Sequence, residues 1–229
     1  MILKILSWNV WVDGYFDQIS DFLKKSNADI ISLQEVKNDD PKRDVIKYLD
    51  GLGYQHTFAS IEKKWSGKIY RDGPAIFSKY NIYKTKTHVL SKTDSRIGLR
   101  ADIQIKDTLL HVFSTHLIHT HQKESKVQAE QAANLIKVLP RDHTIVMGDF
   151  NATPDSQTIK NMKEVLIDSD PSSAPTWSVY PQGCKTCNPQ KINIRLDYIF
   201  TSKDVKVKLF EVENSKGSDH LPISAAIEF

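Results

Sequence analysis

Residues 145–154 read Ile-Val-Met-Gly-Asp-Phe-Asn-Ala-Thr-Pro, and this stretch indicates how the chain folds. Its first residues are apolar and two of them are β-branched, which is typical of a buried strand. A glycine then ends the run, and Asp149 and Asn151 follow it. Polar side chains at the end of a strand lie at the edge of a sheet, where they avoid burial without partners. We therefore expect a strand over 143–147 that presents both residues at such an edge.

Polar residues also stand at the ends of other predicted strands. Asn9 closes the first strand, predicted over 4–10, and Glu35 closes the second, predicted over 28–36. The remaining ones are His116, Asp197, Asp219 and His220, which adjoin or lie in strands predicted over 110–115, 196–201 and 222–229. These residues are the candidates for a functional site.

Apolar residues recur at helical spacing in four segments, whereas residues 54–117 show only strand-like runs. The predicted helices cover 16–23, 45–52, 125–139 and 156–166, and Asp13 is the predicted N-cap of the first. This order predicts an α/β fold in which two sheets pack face to face with helices outside. Residues 169–193, rich in Pro, Ser and Lys, form the longest predicted loop.

The composition is that of a globular protein. The 229 residues are 40% hydrophobic and 26% charged, which excludes a disordered or collagen-like chain and predicts a single domain over 1–229. The sequence lacks both a run of the roughly 20 apolar residues that span a membrane and a signal-peptide pattern, so we expect a cytoplasmic protein. Its 31 basic and 28 acidic residues give a net charge of +3, which slightly favours a phosphate-bearing substrate.

Each candidate residue alone has an ordinary structural interpretation, such as a solvated strand end, a turn or a half-buried histidine. Together, their carboxylates and amides supply the oxygen ligands that Mg²⁺ or Mn²⁺ prefers. The two histidines add groups suited to proton transfer near neutral pH. The sequence shows no Cys or His cluster suited to zinc, no Gly-rich phosphate loop and no Gly-x-Ser-x-Gly elbow. The combination favours hydrolysis of a phosphoester by a metal and a histidine.

Six motifs, taken together, carry a resemblance to a known family. They are Ser7-Trp8-Asn9-Val10, Leu33-Gln34-Glu35-Val36, Thr115-His116-Leu117, Gly148-Asp149-Phe150-Asn151-Ala152-Thr153-Pro154, Leu196-Asp197-Tyr198-Ile199-Phe200 and Ser218-Asp219-His220-Leu221-Pro222. In this order they resemble the endonuclease/exonuclease/phosphatase superfamily, which includes DNase I and the abasic-site endonucleases. The resemblance implies a four-layered α/β/β/α sandwich of two mixed, mainly antiparallel sheets with helices outside.

The resemblance also implies roles for the matching residues. Glu35 matches the principal ligand of a divalent metal, usually Mg²⁺ with Mn²⁺ as a substitute, and Asn9 and Asp219 match residues beside it. His220 matches a general base or water-activating group that Asp197 orients. Asp149 and Asn151 match residues that position or deprotonate the nucleophile and bind the scissile phosphate. His116 matches a residue that contacts the phosphate. Arg100 is a further candidate for a phosphate contact, and Asp72 is a candidate partner of His116.

The predicted substrate is a nucleic acid, so that the chain would be a DNA-binding nuclease or a DNA-end-processing enzyme. A lipid or small-molecule phosphodiesterase or phosphatase is the alternative, and an inactive binding scaffold is a third. Trp177 could stack on a base or sugar, or could be buried where the loop packs on the sheet edge. Residues 63–71 carry basic and aromatic side chains that could grip a nucleic-acid backbone or form an ordinary solvated loop. We expect no obligate protein partner.

The two cysteines, Cys184 and Cys187, form one Cys-Lys-Thr-Cys segment. One such pair cannot complete a four-ligand zinc site unless histidines join it. Neighbouring prolines and a glycine place the segment in a loop. We expect a solvent-facing loop with two incidental thiols, and a redox or metal role is the alternative.

Overall fold

The computed structural model describes residues 1–65 and 67–229, and for residues 63–65, 68 and 70 it describes the backbone alone. The predicted basic and aromatic side chains of Lys63, Lys64, Trp65, Lys68 and Tyr70 therefore lie outside the described residues. The described strands are β1 (Ile2–Asn9), β2 (Ile30–Val36), β3 (Gln55–Phe58), β4 (Ile61–Trp65), β5 (Lys68–Ser78), β6 (Ile82–Ser91), β7 (Arg96–Ile105), β8 (Thr108–His116), β9 (Thr144–Asp149), β10 (Ile167–Asp168), β11 (Asp197–Thr201), β12 (Lys206–Val212) and β13 (Ile223–Glu228). The helices are α1 (Phe16–Ser26), α2 (Val45–Gly51), α3 (Lys126–Ile136) and α4 (Gln157–Val165), with a 3₁₀ turn at Pro181–Gly183.

The strands form two mixed sheets. The first has the order β12-β13-β1-β2-β5-β3, with β4 paired to β5, and the second has the order β10-β11-β9-β8-β7-β6. One pair in each sheet is parallel, β1 with β2 and β8 with β9, and the other pairs are antiparallel. The expected mainly antiparallel arrangement is confirmed.

Three apolar clusters hold four layers together. The central cluster lies between the sheets and includes Ile5, Ile76 and Ile145. On the outer face of the first sheet, α1 and α2 pack through residues such as Leu23 and Leu49. On the outer face of the second sheet, α3 and α4 pack through a third cluster, which includes Leu135, Met162, Phe113 and Phe200. Burial of alternate strand faces and one stripe of each helix thus gives the predicted α/β/β/α sandwich.

The beginnings of the helices follow local sequence, with one exception. The side chains of Asp44, Ser125 and Ser156 each accept a hydrogen bond from the backbone N–H three residues on, which caps α2, α3 and α4. The prediction that Asp13 caps α1 is wrong, because α1 begins after Tyr15 and has no side-chain cap. Instead the Tyr15 N–H donates to the Gly217 carbonyl at 2.7 Å, so a tertiary contact fixes where this helix begins. None of the described helices is long and apolar enough to cross a membrane.

Candidate active site

The two parallel strand pairs bring polar side chains to one edge of the sandwich. In the first sheet, Asn9 at the end of β1 pairs in register with Gln34 of β2, next to Glu35. In the second sheet, His116 at the end of β8 pairs with Asp149 at the end of β9. The Asn9 amide donates to Asp149 Oδ2 at 3.0 Å, so a buried hydrogen bond joins the two sheets at this edge.

Glu35 owes its position to an irregularity in β2. The register between β2 and β5 shifts between Leu33 and Val36, and Glu35 has a φ of 59°, in the left-handed region that non-glycine residues rarely adopt. Its carboxylate accepts hydrogen bonds from the Asn9 amide at 3.2 Å and the Val12 N–H at 2.8 Å. The bulge thus turns the Glu35 side chain toward Asn9.

Asp149 is the hub of the cluster. Its Oδ2 lies 3.0 Å from Asn9 Nδ2, 3.5 Å from His116 Nε2 and 3.6 Å from His220 Nε2. Burial raises its pKa well above the usual range, and the charge of Asp197 adds to the effect against the opposing charge of His220. A carboxylate in this position readily accepts a proton near neutral pH.

His220 is held in one orientation by Asp197. Its Nδ1 lies 2.9 Å from Asp197 Oδ2, and the same oxygen accepts a hydrogen bond from the Thr176 hydroxyl at 2.6 Å. Burial opposes the charged imidazolium, but Asp197, Asp149 and then Asp219 outweigh it and raise the pKa of His220 well above its usual value. Because Nδ1 faces Asp197, Nε2 is the atom presented to Asp149.

Asp219 lies beside this pair and is fixed by Trp177. The indole N–H of Trp177 donates to Asp219 Oδ2 at 3.2 Å. Gly183 approaches so closely that a Cβ there would overlap the Asp219 carboxylate, so a larger residue would displace the loop or Asp219. The loop that carries Trp177 and Gly183 therefore packs directly against the site.

Asn151 connects the cluster to a second group of histidines. Its Nδ2 donates to the Leu117 carbonyl at 3.1 Å and lies 3.0 Å from His116 Nε2. Its Oδ1 lies 2.8 Å from His119 Nδ1. The Leu117 carbonyl only accepts hydrogen bonds, so it fixes which end of the amide faces each histidine.

The model of the endonuclease/exonuclease/phosphatase family matches residues 6–220. The chain belongs to this family. Comparison with curated proteins gives no match. Membership places the chain among phosphoester hydrolases, and this family is in general dependent on a divalent metal.

Several solved structures share the fold. An endonuclease/exonuclease/phosphatase from Beutenbergia cavernae superposes with a TM-score of 0.82 at 19% identity, covering 100% of this chain and 72% of that one. A mannosyl-6-phosphatase from Bacteroides thetaiotaomicron has a TM-score of 0.72 at 22% identity, covering 99% and 100%. ANGEL2, a 2′,3′-cyclic phosphatase solved with adenosine-2′,3′-vanadate, has a TM-score of 0.73 at 18% identity, covering 99% and 95%. The fold is DNase I-like, as the resemblance implies.

The donor set suits the divalent metal of the family. Glu35, Asp149 and Asp219 supply carboxylate oxygens, which Mg²⁺ and Mn²⁺ prefer. Asn9 directs its amide nitrogen at Glu35 and Asp149, and its oxygen accepts a hydrogen bond from the Trp11 N–H. Burial raises the pKa of Asp219 to about 6, and the charge of Glu35 adds to it against the opposing effect of His220. Asp149, Asp197 and His220 also place ligand atoms within 4.8 Å of one another. A cation would relieve this concentration of buried negative charge.

Two residues expected at the site lie differently from the expectation. The Arg100 guanidinium pairs with Asp102 at 2.6 Å and contacts His111 at 3.0 Å, so it is not available to contact the phosphate. Trp177 is only 2% exposed, so its ring is not available to stack on a base. Of the two interpretations of Trp177, the structure matches the buried one.

Sequence reasoning also missed a buried cation. Arg96, at the start of β7, donates to the His116 carbonyl at 3.3 Å. Burial lowers its pKa, while the carboxylates of Asp72, Glu35 and Asp149 oppose that effect. Asp72, suggested as a partner of His116, is itself buried, and its charge acts on Arg96. An arginine that begins a strand carries no local signal that would have identified it.

Proposed function

We propose that this chain is a divalent-metal-dependent phosphodiesterase, and that Mg²⁺ is its metal. The observation that carries the proposal is the position of Asp149 Oδ2, which lies within 3.6 Å of an amide and of two imidazoles. Glu35 is the principal ligand in this proposal, with Asn9 and Asp219 beside it. The bound metal supplies charge neutralisation at the phosphate and at the leaving oxygen.

The Asp149–His220 pair takes the proton of the attacking water. Burial raises the pKa of Asp149, and the neighbouring carboxylates raise the pKa of His220 against the effect of burial, so the pair has high proton affinity near neutral pH. Asp197 and Thr176 hold the imidazole so that Nε2 stays directed at Asp149. Proton removal by positioned groups of this kind typically accelerates a reaction by roughly 100- to 10,000-fold.

His116 and Asn151 bind the scissile phosphate in this proposal. His116 Nε2 and the Asn151 amide lie 3.0 Å apart at the same edge as Asp149, so both can reach one phosphate group. The buried charge of Arg96 behind the His116 carbonyl adds positive potential at this point.

The proposed substrate is a nucleic acid, which the chain cleaves as a nuclease or end-processing enzyme. The support is the net charge of +3, the basic sequence of 63–71, and the shared fold of a phosphatase solved with a nucleotide vanadate. A small-molecule or lipid phosphoester is the second candidate, because a mannosyl-6-phosphatase shares the fold over 99% of this chain. An inactive scaffold is disfavoured, since each matched catalytic position carries a functional side chain. We also propose that the 229 residues act as one catalytic domain in the cytoplasm.

A substrate panel tests the proposal. The purified chain is assayed with Mg²⁺ on single-stranded DNA, duplex DNA, RNA, a 2′,3′-cyclic nucleotide, a sugar 6-phosphate and sphingomyelin, each beside Glu35→Gln. We expect cleavage of a nucleic acid that disappears with the variant. If only the sugar phosphate or the lipid is hydrolysed, the proposed phosphoester hydrolysis is supported and the proposed nucleic-acid substrate is wrong. If none of the phosphoesters is hydrolysed, the proposal that the chain is an enzyme is contradicted.

A further inference from the structure

A second cluster of potential metal ligands lies next to Asn151, whose Oδ1 is 2.8 Å from His119 Nδ1. Its donors are imidazole nitrogens and cysteine sulfurs. Two histidines in the turn after β8, His119 and His121, face the two cysteines of the long loop, Cys184 and Cys187. The two segments are separated by more than 60 residues in sequence. Of the side chains that the structure describes, these four place one ligand atom each within 4.8 Å of one another.

The interatomic distances have the dimensions of a tetrahedral zinc site. His119 Nε2 lies 3.2 Å from His121 Nδ1, 3.7 Å from Cys184 Sγ and 3.6 Å from Cys187 Sγ. His121 Nδ1 lies 3.5 Å and 3.4 Å from the same two sulfurs. Zinc with tetrahedral bonds of about 2.3 Å to sulfur and about 2.0 Å to nitrogen gives N–N edges of about 3.3 Å and N–S edges of about 3.5 Å. Of the six edges of the tetrahedron, the five that involve a nitrogen agree with these values within about 0.2 Å. The sixth edge joins the two sulfurs, which are bonded to each other in this structure and must separate before both can bind zinc.

We propose that His119 Nε2, His121 Nδ1 and the thiolates of Cys184 and Cys187 form a structural zinc site. The sulfurs are joined by a disulfide in this structure, so zinc binding requires their reduction. A dithiol reductant supplies the two electrons: the Cys184–Cys187 bond breaks, the reductant closes its own disulfide, and its two thiol protons pass to the cysteines. Zn²⁺ then displaces these two protons as it binds the thiolates.

Asn151 prepares His119 to be a ligand. Asn151 Oδ1 only accepts hydrogen bonds, so the proton of His119 lies on Nδ1, 2.8 Å away. The lone pair of the neutral ring is therefore on Nε2, the atom that faces the sulfurs and His121. A hydrogen bond that fixes the tautomer in this way is the usual support of a zinc-bound histidine.

The cysteine loop also has the local geometry of a metal-binding turn. The Cys187 N–H donates to Cys184 Sγ at 3.1 Å, a bond that stabilises negative charge on the sulfur. The Asn188 N–H donates to the Cys184 carbonyl at 2.9 Å and closes the turn. The Cys-x-x-Cys spacing is that of the structural zinc sites of known proteins. The earlier expectation of a solvent-facing loop is wrong for Cys184, which is only 9% exposed.

The proposed site is structural because it has no open position. Four protein side chains complete a tetrahedron and leave no place for water, unlike a catalytic zinc site. Trp177, Leu196 and Ile194 pack around the cysteines and form an apolar surround. Its ligands differ from the oxygen donors around Glu35, so the two sites select different metals.

Zinc at this position would connect two segments that shape the active site. His119 binds Asn151, which contacts His116. Cys184 follows Gly183, which packs against Asp219. Binding zinc would therefore hold the phosphate-binding side and the metal-binding side of the site at a fixed separation.

The metal content of the 229-residue chain tests the proposal. The chain is purified under a phosphine reductant, dialysed against metal-free buffer, and analysed by mass spectrometry of metals. We expect one zinc per chain in the wild type, less than a tenth of that in Cys184→Ser, and an unchanged content in His56→Ala, a histidine paired with Asp50 on another surface. A reduced chain without zinc, or equal zinc in Cys184→Ser, would overturn the site.

Cobalt substitution provides a readout that does not depend on how stable a variant is. Co²⁺ in a tetrahedral site with two thiolates gives visible d–d bands and near-ultraviolet sulfur-to-cobalt charge transfer. We expect both in the reduced wild type, and their loss on oxidation of the cysteines to the disulfide. His121→Ala should keep the charge-transfer band and lose intensity in the d–d bands as its fourth ligand becomes water. Weak visible absorption of octahedral Co²⁺ without sulfur-to-cobalt charge transfer, in the reduced wild type, would contradict the assignment.

Discussion

His220 Nδ1 lies 2.9 Å from Asp197 Oδ2, and both side chains are almost completely buried. Asp197 begins β11 and pairs in register with Asp149 of β9. His220 lies before β13, and its backbone forms a bridge with Trp177 of the long loop, next to Thr176, which contacts Asp197. Asp197 thereby directs the opposite ring nitrogen at Asp149. The fold, rather than local sequence, creates this orientation.

Replacing His220 should lower turnover severely. His220→Ala removes the group that shares a proton with Asp149, so we expect kcat to fall by roughly 100- to 10,000-fold with the fold intact. The control is His143→Ala, which removes a partly exposed histidine paired with Asp204 on another surface. Turnover and circular dichroism of both variants check the result. A loss below tenfold in His220→Ala would argue against its role.

Replacing Asp197 should shift the pH dependence of turnover. Asp197 raises the pKa of both His220 and Asp149, so Asp197→Asn lowers both pKa values. Activity in the wild type is lost in acid as the pair becomes fully protonated. In the variant this acid limb should move to lower pH, while kcat at the optimum falls about 100-fold because the ring is less well oriented. The measurement is kcat as a function of pH. An acid limb at the same pH in both proteins would contradict the claim that Asp197 raises the pKa values of His220 and Asp149.

Trp177 should influence metal affinity through Asp219. The indole hydrogen bond lowers the Asp219 pKa, so its loss in Trp177→Phe leaves that pKa higher and makes protons compete better with the metal. We expect Mn²⁺ to bind roughly 10- to 100-fold more weakly, most clearly at slightly acidic pH. Titration calorimetry measures this, and Trp177→Leu separates loss of the hydrogen bond from loss of the ring. Unchanged affinity in Trp177→Phe would remove Trp177 from the positioning role.

A side chain at Gly183 should disturb Asp219 and weaken metal binding. A methyl group in Gly183→Ala would overlap the Asp219 carboxylate, so either the loop or Asp219 must move. We expect weaker metal binding and a loss of stability of about 1–3 kcal/mol. Gly51→Ala is the matched control, because a Cβ there meets no atom within 4 Å. Equal metal affinity in both variants would show that this close approach does not matter.

The Asp102 ion pair should make stability depend on pH. Burial opposes ionisation of Asp102, but hydrogen bonds from Arg100 and His111 outweigh it and lower the Asp102 pKa. A carboxyl whose pKa is lower in the folded state stabilises the fold above its unfolded pKa, and this contribution is lost as pH falls through the folded pKa. The difference in unfolding free energy between wild type and Asp102→Asn should therefore narrow in acid. Urea unfolding checks this, with exposed Asp107→Asn as a control that should show no such trend.

The strand pattern of the sequence predicted most of the fold and identified the strand ends that carry the site residues. Alternation and helical spacing are local properties, so the sandwich and the polar residues Asn9 and Asp149 follow from them. The bulge that turns Glu35 inward depends on the pairing of β2 with β5, which no local pattern encodes. Burial of Trp177 likewise depends on how the long loop packs.

The zinc ligands show the same limit more clearly. The sequence predicts no Cys or His cluster suited to zinc, because histidines separated by one residue, such as His119 and His121, have many ordinary roles. The structure corrects this prediction, since it brings these histidines to the two cysteines. Cys184 and Cys187 alone could not complete a site. Only the fold brings the two pairs together, across more than 60 residues of sequence. The histidine pair close behind His116 was the available signal.

The dependence of turnover on Mg²⁺ in Glu35→Gln tests the central claim most directly. The substitution preserves size and removes the charge of the proposed principal ligand, and Glu211→Gln on the exposed face of β12 is the control. On the phosphoester that the panel identifies, wild type and control should be inactive without divalent metal and gain full turnover as Mg²⁺ is added. Glu35→Gln should stay nearly inactive at saturating Mg²⁺ while remaining folded. Turnover near the wild-type level in Glu35→Gln, or wild-type turnover that does not depend on added metal, would contradict the account.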